Sequence, residues 1–172
     1  MTDDATTGGG TTGDAPPGRG LFAALPRHGA EALSALAADV AFTAGSRLFE
    51  EGRPADRFWV VRTGTVALDT HIPGRSAVVV ETVGAGELVG WSWLVPPHEW
   101  RLGASATTAV RAWQFDASGV RDLCSRDPVL GQALALYVAG VVGHRLEATR
   151  TRLLDLYAPR PVDVPPAGGA RR

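Results

Sequence analysis

Short β-type runs separated by glycine-bearing turns fill most of residues 41–115, and they constrain the fold more than any other feature. The runs at 57–62, 65–70, 76–83 and 107–115 are rich in β-branched and aromatic residues. Turn signals recur roughly every 8–12 residues, a spacing typical of an all-β barrel or jelly roll. We therefore expect a mainly β domain of short strands.

Helical patterns flank this β region. Before it, apolar residues recur at spacings of three and four, which predicts an amphipathic helix after Pro26. The stripe of that helix consists of Leu33, Leu36 and Val40. After the β region, Asp127 is a good N-cap and Pro128 suits a first helical position. No strong breaker follows until Pro159, so we expect one long C-terminal helix over 128–157.

Both ends of the chain have the composition of disordered tails. Residues 1–20 are rich in Gly, Thr, Asp and Pro, and residues 158–172 are rich in Pro. Such segments bury too little apolar surface to offset the entropy of ordering, so the folded unit is expected over 21–157. The acidic N-terminus lacks a signal-peptide pattern, and the apolar runs are shorter than the roughly 20 residues of a membrane span. We expect a cytoplasmic protein that does not enter membranes.

Glycines at fixed places among the strands carry a family resemblance. The segment 42–68 has Gly45, Gly52 and Gly64 at predicted turns, where a positive φ is needed. Together with the flanking helices, it resembles the cyclic nucleotide-binding domain family. The resemblance implies an eight-stranded jelly roll with an N-terminal helical piece and a long C-terminal helix. In the transcription factors of that family, this last helix forms the dimer seam.

The resemblance also implies a phosphate-binding cassette, which is a strand, a short helix and a second strand. There a Gly-Glu pair places a carboxylate on the ribose, while helix N-terminal amides and an arginine hold the cyclic phosphate. Aligned with residues 86–90, the cassette glycine is Gly90, and the carboxylate position falls on Trp91. The alternative pairing of Gly86 with Glu87 restores a carboxylate, but it makes the cassette longer than usual.

The position of the phosphate-binding arginine depends on the direction of counting. Counted forward from Gly90, it falls near Arg101; counted backward from the strand at 106–113, it falls on Trp100. A slip of one residue turns a strand side chain to the opposite face, so Arg101 points either into the pocket or into solvent. The candidate ligand-contacting residues are Glu87, Leu88, Gly90, Trp91, Ser92, Trp100 and Arg101.

Three tryptophans make this cassette bulky and apolar. Trp91, Trp93 and Trp100 lie close together in sequence, next to Pro96 and Pro97. In one interpretation the rings plug the pocket and complete the core. In the other they stack on a planar ligand or anchor a protein partner. The sequence leaves both open.

Enzymatic function is not supported by the residue pattern. The four histidines lie apart from one another, at His28, His71, His98 and His144, so no metal site follows. No Ser or Cys has the local context of a nucleophile, and Cys124 is the only cysteine. We expect no catalytic residue and no required cofactor, with cyclic AMP or cyclic GMP as the candidate ligand.

Direct DNA binding is not expected either. The formal net charge is −1, and the 15 residues at 158–172 cannot build a recognition helix. A basic patch on the C-terminal helix is interleaved with Glu147 and Asp155, a pattern typical of a solvated face. That patch consists of Arg145, Arg150 and Arg152.

Two hypotheses therefore remain for this bacterial-type regulatory module. In the first, it senses a cyclic nucleotide or a related anion in a variant cassette and signals through its C-terminal helix. In the second, it is a ligand-free, degenerate domain that acts as a protein–protein interaction module. Its partner would be a second copy, through residues 128–157, or an unidentified protein.

Overall fold

The computed structural model describes residues 20–71, 73–74 and 76–157. The eight strands are β1 (Ala38–Phe42), β2 (Arg47–Phe49), β3 (Arg57–Thr63), β4 (Val66–Thr70), β5 (Val78–Val83), β6 (Leu88–Val89), β7 (Gly103–Ala106) and β8 (Val110–Asp116). The helices are α1 (Arg27–Ser34), α2 (Ala117–Arg126) and α3 (Pro128–Tyr157), with short 3-10 turns at Leu21–Ala24 and Trp91–Trp93. The predicted tails at 1–19 and 158–172 lie outside the described residues.

The strands form two antiparallel sheets of four strands each. The first sheet has the order β1-β8-β3-β6, and the second has the order β2-β7-β4-β5. Apart from the hairpin of β4 and β5, neighbouring strands in each sheet are not consecutive in sequence, as in a jelly roll rather than in a series of hairpins. The predicted eight-stranded fold with a long C-terminal helix is confirmed.

The central strand β3 is buried on both faces of the first sheet. Its residues from Phe58 to Val61 are all at most 3% exposed. Because successive side chains point to opposite faces, Phe58 and Trp59 pack in different layers. Phe58 stacks on Phe115, which contacts Phe22 in the N-terminal 3-10 turn. Trp59 faces the second sheet and stacks on Phe49 of β2.

The glycine turns have the backbone geometry that the sequence predicts. Gly45, Gly52 and Gly64 have φ values of 83°, 77° and 85°. At Gly64 the side chain is also excluded sterically, because an added Cβ would lie 2.2 Å from the carbonyl oxygen of Ala109. The prediction that these turns need positive φ is confirmed.

The predicted N-terminal helix is wrong beyond Ser34. Val40 lies in β1, where it pairs with Ala112 of β8, and Leu36 is 44% exposed in the connection. Strand pairing over five residue pairs outweighs the weak helical spacing of Leu33, Leu36 and Val40. Sequence reasoning also missed α2, although Asp116 caps it by accepting a hydrogen bond from the Gly119 N–H.

The long helix α3 begins as predicted. Asp127 accepts a hydrogen bond from the Leu130 N–H at 3.1 Å, which is the expected N-cap contact. Leu130, Leu134 and Val138 are buried against the rest of the domain. Several apolar side chains stay exposed on other faces of the helix. They are Val129, Leu136, Leu146, Leu153 and Leu154.

By length and hydropathy alone, α3 meets the criterion for a membrane span. The window Pro128–Thr151 has 24 residues and a mean hydropathy of 1.3. Part of this apolar character is accounted for by the face that packs on the domain, as a core helix of a globular protein also requires.

Candidate functional site

The predicted cassette lies between β6 and β7. Strand β6 ends at Val89, and Gly90 follows with φ 87° and ψ 63°, in the left-handed region. The 3-10 turn Trp91–Trp93 comes next, and an irregular loop leads to β7 at Gly103. The left-handed conformation turns the chain sharply out of the strand, which a residue with a Cβ would do only under strain. The segment thus has the predicted order of strand, short helix and strand.

Trp100 fills the space beside this turn. Its side chain is 3% exposed, and a Cβ added at Gly90 would lie 2.5 Å from Cζ3 of the Trp100 ring. The ring stacks on Phe49 with 4.0 Å between centroids, and Phe49 stacks on Trp59 at 5.4 Å. Because Phe49 and Trp59 belong to different sheets, the three rings close the interior of the roll next to the cassette.

Arg101 points the other way. It is exposed, and its backbone N–H donates to the Ser92 hydroxyl at 3.3 Å. Of the two directions left open by the sequence, into the pocket or into solvent, the structure has the Arg101 side chain in solvent. Trp100, on which the backward count falls, thus faces the interior, whereas Arg101, on which the forward count falls, faces solvent.

The other two cassette tryptophans differ in burial. Trp93 is fully buried and stacks on Phe58 with 4.4 Å between ring centroids. Its carbonyl accepts a hydrogen bond from Arg121 of α2 at 2.8 Å, which ties the cassette to the helical layer. Trp91 is half-buried, so part of its ring remains accessible. Trp93 and Trp100 are core residues, while Trp91 packs against the core with part of its side chain exposed.

Glu87 serves the turn before β6. Its Oε2 accepts a hydrogen bond from the Gly84 N–H at 2.6 Å, and its carbonyl accepts from the Val61 N–H. Gly86 has φ 84° and forms the corner of that turn. The pairing of Gly86 with Glu87 therefore closes a turn and does not aim a carboxylate into the cassette. Leu88, the next residue, is buried and pairs with Val60 of β3.

Arg145 is a charged residue near the cassette whose contacts the sequence pattern did not predict. Its pattern on α3 predicts a solvated face, but its side chain is only 14% exposed. Its Nε lies 2.5 Å from Oε2 of Glu81, and its Nη2 donates to the Leu88 carbonyl at 3.3 Å. The interpretation as a solvated residue is wrong for Arg145, because its guanidinium packs across β5 and β6.

Two titratable groups near these elements have shifted pKa values. Burial raises the pKa of the Tyr137 hydroxyl, and the negative charge of Glu87 adds to that effect. Burial also raises the pKa of the Cys124 thiol, with a further contribution from Asp127. Both groups are therefore neutral near pH 7. Neither has the lowered pKa that activates a nucleophile.

Metal ligands do not converge in the part of the chain that the structure describes. Within residues 20–71, 73–74 and 76–157, no three His, Cys, Asp or Glu side chains are placed to hold a metal ion. A cleft of about 510 Å³ is lined by Arg47, Glu50, Glu51, Asp69 and His71. Arg47 binds Asp69 through both terminal nitrogens there and also pairs with Glu50, which raises the Arg47 pKa and leaves no unpaired guanidinium for an anion among the described residues that line this cleft.

Comparison with known proteins identifies the fold family. The family model described as "Cyclic nucleotide-binding domain" matches residues 39–127, just over half of the chain. The chain belongs to the cyclic nucleotide-binding domain family. The matched region runs from β1 to the N-cap of α3, so it contains the whole roll and the cassette.

The chain is similar to regulators from several bacteria. It is 26% identical over 137 residues to the CRP-like cAMP-activated global transcriptional regulator of Mycobacterium tuberculosis, covering 80% of this chain. It spans 59% of the length of that curated relative.

Solved structures have the same fold. The N-terminal domain of a transcriptional regulator from Streptomyces coelicolor is 30% identical, with a TM-score of 0.61 over 72% of this chain and 89% of that one. A cyclic nucleotide-binding domain from Methylobacillus flagellatus is 18% identical, with a TM-score of 0.70 over 80% and 78% of the two chains. The second likeness concerns the fold alone.

Proposed function

We propose that this chain is a non-enzymatic regulatory module that acts through α3 and does not bind a cyclic nucleotide in the conformation described. The observation that carries the proposal is the position of Trp100. Its ring packs against Gly90 and stacks on Phe49, in the space next to the cassette turn. A ligand phosphate at the turn would have to displace an indole that is 3% exposed.

The side chains around the turn support the same proposal. Recognition of a cyclic phosphate and a ribose needs a cation and a carboxylate in the pocket. Arg101 faces solvent, Glu87 is engaged with the Gly84 N–H, and Trp91 stands where the carboxylate is expected. Calorimetric titration with cyclic AMP and cyclic GMP tests the proposal. Saturable heat at micromolar ligand would contradict it.

Such a module would act on its partner through the exposed apolar face of α3. We infer that a second copy covers this face, because Leu136 and Leu146 are 66% and 69% exposed on a helix otherwise anchored to the domain. Ten residues apart, Leu136 and Leu146 lie about 80° from each other around the helix, within the width of one apolar face, and an exposed apolar face is typical of a helix–helix interface. We propose a cytoplasmic homodimer that does not bind DNA directly. The net charge of −1 produces no positive electrostatic field that would attract the phosphates of DNA.

A second candidate function is sensing of a planar anionic ligand. Its supporting observation is the half-buried Trp91, whose accessible face could stack on a base after Trp100 swings out. The name of the Mycobacterium tuberculosis relative, which describes it as activated by cAMP, points the same way. Binding that quenches the fluorescence of Trp91 would favour this candidate.

A further inference from the structure

Arg145 joins the long helix to both sheets at once. Its guanidinium contacts Glu81 on β5 and the carbonyl of Leu88 on β6. Strand β5 is an edge strand of the second sheet, and β6 is an edge strand of the first sheet. One side chain of α3 thus spans the seam where the two sheets meet.

The contact on β6 lies close to the cassette. Leu88 is followed by Val89 and then by Gly90, where the chain turns under the Trp100 ring. Val89 pairs with Trp59, which belongs to the ring stack that holds Trp100. A displacement of β6 would therefore reach the cassette turn within two residues.

The ion pair is largely shielded from water. Glu81 and Arg145 are 23% and 14% exposed, and their facing atoms, Oε2 and Nε, are buried; they form an ion pair, and neither atom has a hydrogen-bond partner among the described residues. Charges in such surroundings are costly unless they stay paired, so removing one partner leaves the other uncompensated. The pair therefore fixes the position of α3 more strictly than a surface pair would.

The apolar anchoring of the helix becomes sparser towards this contact, with Val142 as the last side chain packed against the core before it. The apolar anchors Leu130, Leu134 and Val138 lie in its first half. Gly140 and Gly143 follow, and a Cβ added at either glycine would contact nothing within 4 Å. Beyond Arg145, the hydrogen bonds of the described side chains of α3 stay within the helix, as at Thr149.

We propose that Arg145 is a positioning residue that couples α3 to the cassette. While it bridges Glu81 and Leu88, the second half of the helix and the segment from β6 through the 3-10 turn are held together. When the Arg145 contacts break, the second half of α3 and the segment from β6 through the 3-10 turn both open more often, and this does not require a ligand. This inference rests on the proposed role of α3 as the output of the module, and it names the contact through which that output and the cassette influence each other.

Hydrogen–deuterium exchange of the full chain tests the coupling. Arg145→Met keeps most of the aliphatic stem and removes the charge. We expect exchange at 139–150 and at 86–95 to rise about tenfold, because both segments lose the contact that restrains local opening. Exchange in β3 and β8 should stay unchanged. The matched control is Arg27→Met, which breaks the ion pair between Arg27 and Glu31 on the surface, where the side chains are 94% and 67% exposed.

The exchange measured at 86–95 shows whether Arg145 couples α3 to the cassette or only attaches the helix to the domain. A rise confined to 139–150, with 86–95 unchanged, would show that Arg145 only attaches the helix and would overturn the proposal. No rise in either segment would also overturn it.

Glu81→Gln provides an independent variant if Arg145→Met fails to fold. It preserves the side-chain shape and the contact between Arg145 and Leu88. We expect exchange at 139–150 to rise about threefold, with a smaller rise at 86–95. No rise at 139–150 would overturn the proposal. Because no ligand is present, micromolar binding of cyclic AMP by the unmodified chain would contradict the proposed function but leave these exchange results unaffected.

Discussion

The ring of Trp100 lies directly against the backbone of Gly90. A Cβ added at this glycine would come within 2.5 Å and 2.8 Å of two ring carbons. Gly90 also has a φ of 87°, which a residue with a side chain rarely adopts. Glycine is therefore required here both by the backbone conformation and by the closeness of the ring. Gly90 and the ring of Trp100 are therefore packed as one unit.

This contact predicts an unusually large cost for Gly90→Ala. The left-handed backbone alone costs about 1–2 kcal/mol for a residue with a Cβ. Overpacking against the ring adds about 1–3 kcal/mol. Urea unfolding of the two proteins measures the sum. Gly45→Ala is the matched control, because Gly45 has a φ of 83° but nothing within 4 Å of an added Cβ. Equal losses in the two variants would contradict the packing of Trp100 on Gly90.

The N-cap of α2 predicts a pH-dependent contribution to stability. Hydrogen bonds from the Ser118 hydroxyl and the Gly119 N–H hold the pKa of the Asp116 carboxyl below its usual value. The stabilisation is therefore present above the unfolded pKa and is lost as the pH falls through the lowered folded pKa. Asp116→Ala should cost about 0.5–2 kcal/mol at pH 7.

Urea unfolding between pH 2 and 7 measures this contribution. The difference between the unmodified chain and Asp116→Ala should shrink as the pH falls below roughly 4. Asp116→Asn is the control, since an amide oxygen caps the helix without a titrating charge. A difference that stays constant down to pH 2 would be inconsistent with this role of the carboxylate.

The thiol of Cys124 should react slowly in the folded protein. It is half-buried between α2 and α3, and burial raises its pKa, so little thiolate is present at pH 7. We expect alkylation with iodoacetamide to be at least about tenfold slower than in urea. Mass spectrometry of timed samples measures both rates. Equal rates would mean that α2 and α3 open freely at this position.

The exposed face of α3 predicts self-association. Replacing both Leu136 and Leu146 by Glu should weaken the proposed dimer roughly a hundredfold, because carboxylates would be buried in an apolar contact. The folded monomer should keep its stability, since both side chains are largely exposed. Sedimentation velocity measures the change.

A matched control for this experiment is Val79→Glu. Val79 is 54% exposed on β5, where it pairs with Asp69 of β4, and it is not part of α3. Its replacement should leave the sedimentation of the protein unchanged. If the unmodified chain sediments as a monomer at high concentration, the proposed dimer is wrong.

Local signals explain what the sequence could predict of the fold. The turns at Gly45, Gly52 and Gly64 were predictable because a positive φ depends on the residue itself. The start of α3 was predictable because Asp127 caps a backbone N–H three residues away. Val40 was misassigned because its place in β1 depends on pairing with β8, which is distant in sequence.

The candidate site depends on contacts that have no local signal. Trp100 and Arg101 lie in an irregular loop before β7, so neither a helical nor a strand period fixes which side chain points inward. The partner of Arg145 is Glu81, on a strand far away in the chain. A charged residue on a helix reads as solvated until the packing of that helix is known.

A gain-of-function variant provides a positive comparison for ligand binding. Trp91→Glu combined with Trp100→Arg places a carboxylate and a guanidinium where the family resemblance expects them. We expect this variant to bind cyclic AMP measurably, because it supplies charge-assisted hydrogen bonds to ribose and phosphate. Circular dichroism should first establish that the variant is folded.

The measurement that tests the central claim most directly is calorimetric titration of the unmodified chain with cyclic AMP and cyclic GMP. Because the Trp100 ring occupies the space at Gly90 and Arg101 faces solvent, we predict no saturable heat up to about 1 mM ligand, a limit that corresponds to a binding free energy weaker than about −4 kcal/mol. A saturable isotherm with a micromolar Kd for either nucleotide would contradict the account.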